Sequence, residues 1–264
     1  MDEEKMTTQE RIQRLVVRLV ATHPAGRGLL LIGGFRYRLL DNSARRSLDV
    51  DFHCATDLGE KQVQLLQLLK RKLLPEVRRR WGYEGTAEPA HGPDVDSPAV
   101  KTIDLAFWRQ TVPGSRMELP VEITRTVCLD RSVVRTADGV VYATVTDADM
   151  IEAKILALFN RALVTHRDLI DIFLFGNHLR PDSPQRLKEK LRLLSLPSDH
   201  VRKRMEDFRQ HRDYHGRSLD QVVHEQLEAE TADCIRGAGG GRMILDRILN
   251  ILTDPLEIGG EQTP

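Results

Sequence analysis

The chain has 264 residues, with 39 Lys plus Arg against 39 Asp plus Glu, so its formal net charge is zero with histidines neutral. That excludes a protein that coats nucleic acid through a bulk basic excess and leaves any charged partner to a local patch. With 41% hydrophobic and 30% charged residues the chain can bury a core, as one large domain or two small ones. In chain order, residues 1–10 are acidic and polar, without the basic stub and apolar run of a signal peptide. Ile12, Leu15, Val16, Leu19 and Val20 recur at three-and-four spacing, which predicts an amphipathic helix over Thr8–Thr22, closed by Pro24 and Gly26. Its best apolar stretch, Leu15 to Val20, carries Arg18 and is far short of a membrane span, so no membrane partner is expected. Gly28-Leu-Leu-Leu-Ile-Gly-Gly34 predicts a buried strand that enters a tight loop. Phe35 to Leu40 reads as the first turns of a helix, and Ser47-Leu-Asp-Val-Asp-Phe52 as a second strand. Leu58 to Arg80 is expected to be helical with a kink at Pro75, and Gly82 to Pro98 to be a loop.

Val100 to Trp108 and Met117 to Arg125 read as a hairpin about Pro113-Gly114, followed by a short strand, Val140 to Val145. At Asp147 the period becomes helical, with Thr146 as N-cap and Met150, Ile151, Ile155, Leu158 and Phe159 as the apolar side. From Arg167 the chain is expected to be mostly helical, with breaks at Arg180–Pro184 and Leu196-Pro197 and a linker at Gly237–Gly241. The expected organisation is a mixed strand-and-helix domain over residues 1–146 and a helical domain over residues 147–264. Cys54, Cys128 and Cys234 are widely spaced and lack any C-x-x-C, so neither a disulfide framework nor a zinc site is expected, and a reducing cytoplasm is the simplest compartment.

Asp49 and Asp51 alternate with Leu48, Val50 and Phe52. On a strand this turns both carboxylates and Ser47 to one face and the apolar set to the core. Paired carboxylates are tolerable around a divalent cation, and Mg²⁺ takes one or two of them with water and substrate phosphates, the chemistry of phosphoryl and nucleotidyl transfer. Asp-x-Asp alone more often describes a half-exposed strand with acids on its wet face. Gly33-Gly34, placed before it at the end of a strand, adds a backbone able to approach a phosphate. Further on, Lys154 and Arg161 are nearly two turns apart on one helix face, and Asp168 and Asp171 neighbour each other on the next. A solvated charge face, with Arg167 and Asp171 paired at i,i+4, is the plainer alternative.

Gly33-Gly34 with Ser47-Leu-Asp49-Val-Asp51, then Lys154-x-x-Ala157-Leu158-x-x-Arg161, then Arg167-Asp168-x-x-Asp171, resembles the abortive-infection E-type (AbiEii) nucleotidyltransferase toxins of bacterial toxin–antitoxin pairs. The resemblance covers about residues 28–175 in ordered motifs. It implies an α+β, polymerase-β-like nucleotidyltransferase core followed by a helical region that completes the active site. It also implies one or two Mg²⁺ ions as cofactor, an NTP as donor, and an RNA acceptor, the 3′ end of transfer RNA in several relatives. A cognate antitoxin is implied as partner; in some relatives it phosphorylates a hydroxyl near the site, and Ser47 is the one to examine. By this likeness Asp49 and Asp51 bind metal, Gly33 and Gly34 form the phosphate loop, and Lys154 and Asp168 are the basic and acidic residues of the second half. The loop departs from the family in carrying Phe35 and Arg36, so triphosphate contacts are expected from backbone, Ser47 or Arg46, with Arg161 and Arg167 as further phosphate cations. A third metal carboxylate belongs on a neighbouring strand, either Glu122, whose spacing to Lys154 suits better, or Asp104.

Lys70-Arg-Lys72 and Arg78-Arg-Arg80 concentrate cations that can bind an RNA backbone, and Arg202-Lys-Arg204 with Arg209 and Arg212 form a diluted second patch. His211, Asp213 and His215 read as surface residues. Two other functions remain open: a nucleotidyltransferase with a small-molecule or protein acceptor, as in aminoglycoside-modifying enzymes, and a non-catalytic member that binds nucleotide or a partner.

Overall fold

The computed structural model describes residues 6–90, 99–112 and 114–256. The expected loop at 91–98, the turn residue Pro113 and the helical end beyond 256 lie outside them. Chain contacts divide the molecule into two compact units, Met1–Thr126 with Ser132–Val145, and Val127–Arg131 with Thr146–Pro264.

The first unit opens with α1 (Thr8–Thr22), whose N-terminus is capped by Thr7 Oγ1 accepting from Glu10 N–H and whose stripe of Ile12, Leu15, Val16 and Val20 is buried. Strand β1 (Leu29–Ile32) runs into α2 (Gly33–Leu40), so the two glycines start a helix directly instead of lying in a loop. Strand β2 is Val50–Cys54, shifted from the expected Ser47–Phe52. Leu48 is accordingly outside the core at 46% exposure, while Ser47 is buried at 6%. A reading by alternation started the period too early, because the bend through Asp49 breaks it.

Helix α3 (Leu58–Leu68) passes through a π-helical turn at Leu69–Leu73 into α4 (Leu74–Trp81). The widened turn lies immediately before Pro75, whose ring cannot tolerate a regular α-helical carbonyl four residues back, and this replaces the expected kink. Inside the expected loop stands a strand, β3 (Glu84–Pro89), paired antiparallel to β4 (Val100–Trp108), which forms the expected hairpin with β5 (Met117–Thr124). Between β5 and β7 (Val140–Thr144) lies a further strand absent from the sequence reading, β6 (Val133–Ala137). Asp138 and Gly139 join β6 and β7 with positive φ of 49° and 71°, and this Asp-Gly step was the available hairpin signal.

The seven strands make one mixed sheet in the order β3-β4-β5-β2-β1-β7-β6, with β1 parallel to β7 and β2 parallel to β5. Its core face carries Leu29 and Leu31, Val50 and Phe52, Val121 and Ile123, and Ile103 and Leu105, which join α1 and α3 in one apolar cluster. The opposite face, by the alternation of strands, carries Asp51, His53, Glu122 and Thr124.

The second unit is helical: α5 (Asp147–Asn160), α6 (His166–Phe175), α7 (Ser183–Leu193), α8 (Ser198–Gln210), α9 (Arg212–Gln226), α10 (Ala229–Gly237) and α11 (Gly240–Leu256). Thr146 caps α5 by accepting from Asp149 N–H. The expected glycine linker is largely helical: α10 ends at Gly237, α11 starts at Gly240, and Asp220 Oδ1 accepts from Gly241 N–H at 2.6 Å. Beside the apolar core of Ile155, Phe159, Leu169, Val223 and Ile248 runs a buried ionic network. Lys190 Nζ lies 2.6 Å from Asp149 Oδ1 and 2.8 Å from Glu152 Oε2, and Arg186 pairs with Asp130, Asp149 and Glu152. Asp149 also accepts from the N–H groups of Leu129 and Asp130 at 3.0 Å, which fastens the segment 127–131 to the helices.

Candidate functional site

In the first unit the site is built where β1 ends. Gly33 has φ +77°, and a Cβ there would fall 1.7 Å from Asp51 Oδ2. A Cβ on Gly34 would fall 2.1 Å from Arg45 Nη2 and 2.9 Å from Ser47 Oγ. The glycine pair is thus required by a carboxylate and a guanidinium that seat against the start of α2. Asp51 is in register with Ile32 on one side and Glu122 on the other. Residues in register on adjacent strands project to the same face about 5 Å apart, so Asp51 and Glu122 are lateral neighbours. Asp104 pairs with Pro120, two strands from β2, and is exposed.

Asp49 stands in the bend before β2, and its Oδ1 accepts from Ser47 Oγ at 2.7 Å. The bend is anchored from α1: Gln13, 1% exposed, donates from Nε2 to the carbonyls of Ser47 at 3.0 Å and Asp49 at 3.2 Å. Gln13 was missed in the sequence, where it is one polar residue in a helical stripe. Ser47 is buried with its hydroxyl turned to Asp49, so a modifying enzyme reaches it only if the bend opens. Arg46 is exposed, and the buried guanidinium beside Gly34 belongs to Arg45, which donates to Arg46 O at 3.1 Å. Arg36 is fully buried and ion-paired to Asp41, which Arg135 also contacts at 3.1 Å, so it braces α2. His53 lies two residues beyond Asp51; burial pushes its pKa down, and its Nδ1 accepts from Thr126 N–H at 2.9 Å.

Among the described residues no three His, Cys, Asp or Glu side chains make a ready metal cage. The donors present are carboxylates, two on adjacent strands and one on the preceding bend. This hard oxygen set fits Mg²⁺, which leaves much of its shell to water and phosphate, better than zinc, which prefers His and Cys.

In the second unit, Lys154 Nζ lies 2.7 Å from Asp168 Oδ1 and 3.1 Å from Asp171 Oδ2, and Arg161 Nη1 lies 2.7 Å from Asp168 Oδ2. Asp171 is fully buried and Asp168 nearly so. Asp171 therefore pairs with Lys154 from the neighbouring helix. Arg161 is not on the α5 face: it closes the helix in an extended conformation, and the turn to Thr165 brings its guanidinium back to Asp168. Arg167 is half-buried at the start of α6.

Of the basic patches, Arg79 and Arg80 pair with Glu76 at 2.7 and 2.5 Å and hold its carboxyl down at about 2, while Arg78 reaches Glu84 at 3.1 Å. Lys70, Arg71 and Lys72 are exposed on the π turn and make no ion pair among the described residues. His215 is a correction: it is buried at 3% exposure, within hydrogen-bond distance of His166.

No protein-family model and no curated protein matches the sequence. Among solved structures, the chain is similar to one described as a nucleotidyltransferase from H. pylori, at 18% identity and TM-score 0.53, over 97% of this chain and 98% of that one. It is likewise similar to JHP933 from Helicobacter pylori, at 18% identity and TM-score 0.53, over 97% and 95%. A weaker likeness, at TM-score 0.48 and 20% identity over 64% of this chain and 57% of that one, is to the nucleotidyltransferase toxin MenT4 from Mycobacterium tuberculosis H37Rv, and it bears no weight on function. No described helix is long and apolar enough to cross a membrane. At such identities the similarity speaks to architecture, and the chain has the α+β fold of its nucleotidyltransferase neighbours, a mixed seven-stranded sheet with many helices.

Proposed function

We propose that the chain is a Mg²⁺-dependent nucleotidyltransferase of the abortive-infection E-type, the toxin of a toxin–antitoxin pair. It would move a nucleotide from an NTP to an RNA acceptor, with the 3′ end of transfer RNA as the first candidate. The observation that carries the reading is the lateral pair Asp51 and Glu122, with Gly33 reduced to a hydrogen side chain so that the Asp51 carboxylate seats against the opening of α2. In this reading Asp49, Asp51 and Glu122 hold the metal, and Glu122 is chosen over Asp104 because it is the acid in register with Asp51. Bound Mg²⁺ supplies charge neutralisation on the triphosphate and activation of the attacking hydroxyl. The chain's own groups bind and orient. Backbone N–H groups at Gly33 and Gly34 face the phosphates at a helix start, and Arg45 takes the place first given to Arg46 beside them. Ser47 donates to one Asp49 oxygen and so fixes the carboxylate. Lys154 and Asp168 are assigned to the same reaction, Lys154 as a point charge fixed by two carboxylates, with Arg161 and Arg167 as supporting cations. An antitoxin that silences this chemistry is the implied partner.

The test is incubation of the purified protein with total RNA and each labelled NTP in Mg²⁺, followed by sequencing of labelled RNA. Label is expected on RNA ends and absent for Asp51→Asn. Label that transfers without RNA would assign a small-molecule or protein acceptor. Growth inhibition that survives Asp51→Asn would reject the catalytic toxin.

A further inference from the structure

In the second unit two histidines meet across helices. His166 opens α6, and its Nε2 lies 3.1 Å from Nδ1 of His215 on α9. His215 is packed by Phe208 and Tyr214, edge-on at 4.9 and 5.2 Å between centroids. Its Nε2 is buried without a hydrogen-bond partner among the described residues, and the nearest carboxylate oxygen, Asp207 Oδ2, stands 3.5 Å away. Asp207 Oδ1 lies 2.9 Å from His211 Nδ1. A carboxylate only accepts, so it favours the His215 tautomer with hydrogen on Nε2; His215 Nδ1 is then an acceptor and His166 Nε2 its donor. The remaining nitrogen, His166 Nδ1, then carries a lone pair on a half-buried ring. Burial, with His215 beside it, holds the His166 pKa down at about 4, so the ring is a neutral acceptor at neutral pH.

The surface around it matches. Tyr214 is 56% exposed, its ring edge-on to His166 at 6.0 Å between centroids. Arg217, three residues further on the same face of α9, is exposed and makes no ion pair among the described residues. An exposed aromatic ring stacks a base, a fixed neutral nitrogen accepts from a ribose 2′-hydroxyl, and a guanidinium group meets a phosphate. An acidic peptide would use the arginine alone.

We infer that Tyr214, Arg217 and His166 form a binding site for single-stranded RNA, in which the Asp207–His215–His166 chain selects ribose over deoxyribose. The inference deepens the RNA-acceptor reading and rests on it. The test is fluorescence anisotropy of the full chain, without NTP, with a labelled single-stranded oligoribonucleotide and the oligodeoxyribonucleotide of the same sequence. Tighter RNA binding is expected. Tyr214→Ala should weaken both by about tenfold or more, and Tyr214→Phe should retain both. His166→Phe should abolish the ribose preference while leaving DNA affinity in place, and His215→Phe, which refills the buried volume, should do the same. Equal affinity for RNA and DNA in the unmodified protein overturns the inference, and so does unchanged RNA affinity in Tyr214→Ala combined with Arg217→Ala. Because binding is read without turnover, a protein that binds RNA through these residues but incorporates no nucleotide would overturn only the catalytic reading. One that incorporates nucleotide with Tyr214 and Arg217 removed would overturn only this site.

Discussion

Gln13→Glu tests whether the bend that presents Asp49 is held from α1. The substitution keeps shape and volume but replaces an N–H₂ donor with a second carboxylate oxygen, in a position 3.0 and 3.2 Å from two carbonyl oxygens. Two hydrogen bonds worth about 1 kcal/mol each are lost, and the carbonyls of Ser47, buried, and Asp49, half-buried, lose a partner at about 1–3 kcal/mol each. At neutral pH the total, roughly 3–5 kcal/mol after overlap between these terms, is a large part of the 5–15 kcal/mol typical of a domain. A buried carboxyl facing acceptors has a raised pKa, and once protonated it can again donate one bond. The deficit relative to the unmodified protein should therefore be largest at pH 8 and shrink toward pH 5. The assay is urea unfolding at both pH values, together with the Mg²⁺ concentration for half-maximal nucleotide incorporation at pH 8, which should rise as Asp49 loses its fixed backbone. A variant within about 0.5 kcal/mol of the unmodified protein at pH 8, with unchanged Mg²⁺ dependence, would refute the reasoning, since that is the range of neutral surface changes.

Gly33→Ala should abolish nucleotide incorporation, because the added methyl would occupy space 1.7 Å from Asp51 Oδ2. Thermal unfolding should report a cost of about 1–3 kcal/mol from the φ of +77°, and full incorporation would contradict this geometry. Lys154→Met leaves Asp168 and Asp171 buried with one cation fewer, and a loss of about 3–5 kcal/mol is expected in denaturant titration. Asp171→Asn combined with Lys154→Met should recover part of it. His166 gives a pH signature. Its folded pKa of about 4 lies below the ordinary histidine value of 6.5, so the unfolded chain binds the proton first. Its contribution is complete above pH 6.5 and is lost as pH falls toward 4. Urea midpoints for His166→Gln should fall less steeply over that window. Cys128, with its thiol pushed up to about 11 by burial and by the Asp149 and Asp130 charges, should alkylate far more slowly at pH 7 than exposed Cys234, as read by mass spectrometry.

The sequence by itself determined what depends on near neighbours. The helical stripe and bounds of α1, the Thr146 cap, the β4–β5 hairpin and the order of glycines, acids and cations all follow from short-range period and hydrogen bonding. Where a local feature interrupted the period, the reading slipped: the bend at Asp49 displaced β2, and the π turn before Pro75 stood in for a kink. Tertiary structure decided the rest. Asp51 and Glu122 become neighbours only through the parallel pairing of β2 with β5, a register that no local pattern carries. Gly33 matters because of a carboxylate eighteen residues away in the chain, and Gln13 because of carbonyls at Ser47 and Asp49. Arg45 rather than Arg46 faces Gly34, since a non-helical, non-strand segment has no period from which to tell inside from outside. His215 likewise looked like a surface histidine until the packing of α9 on α6 buried it against His166. A residue's chemistry is written in the sequence, but what stands opposite it is set by how distant segments pack.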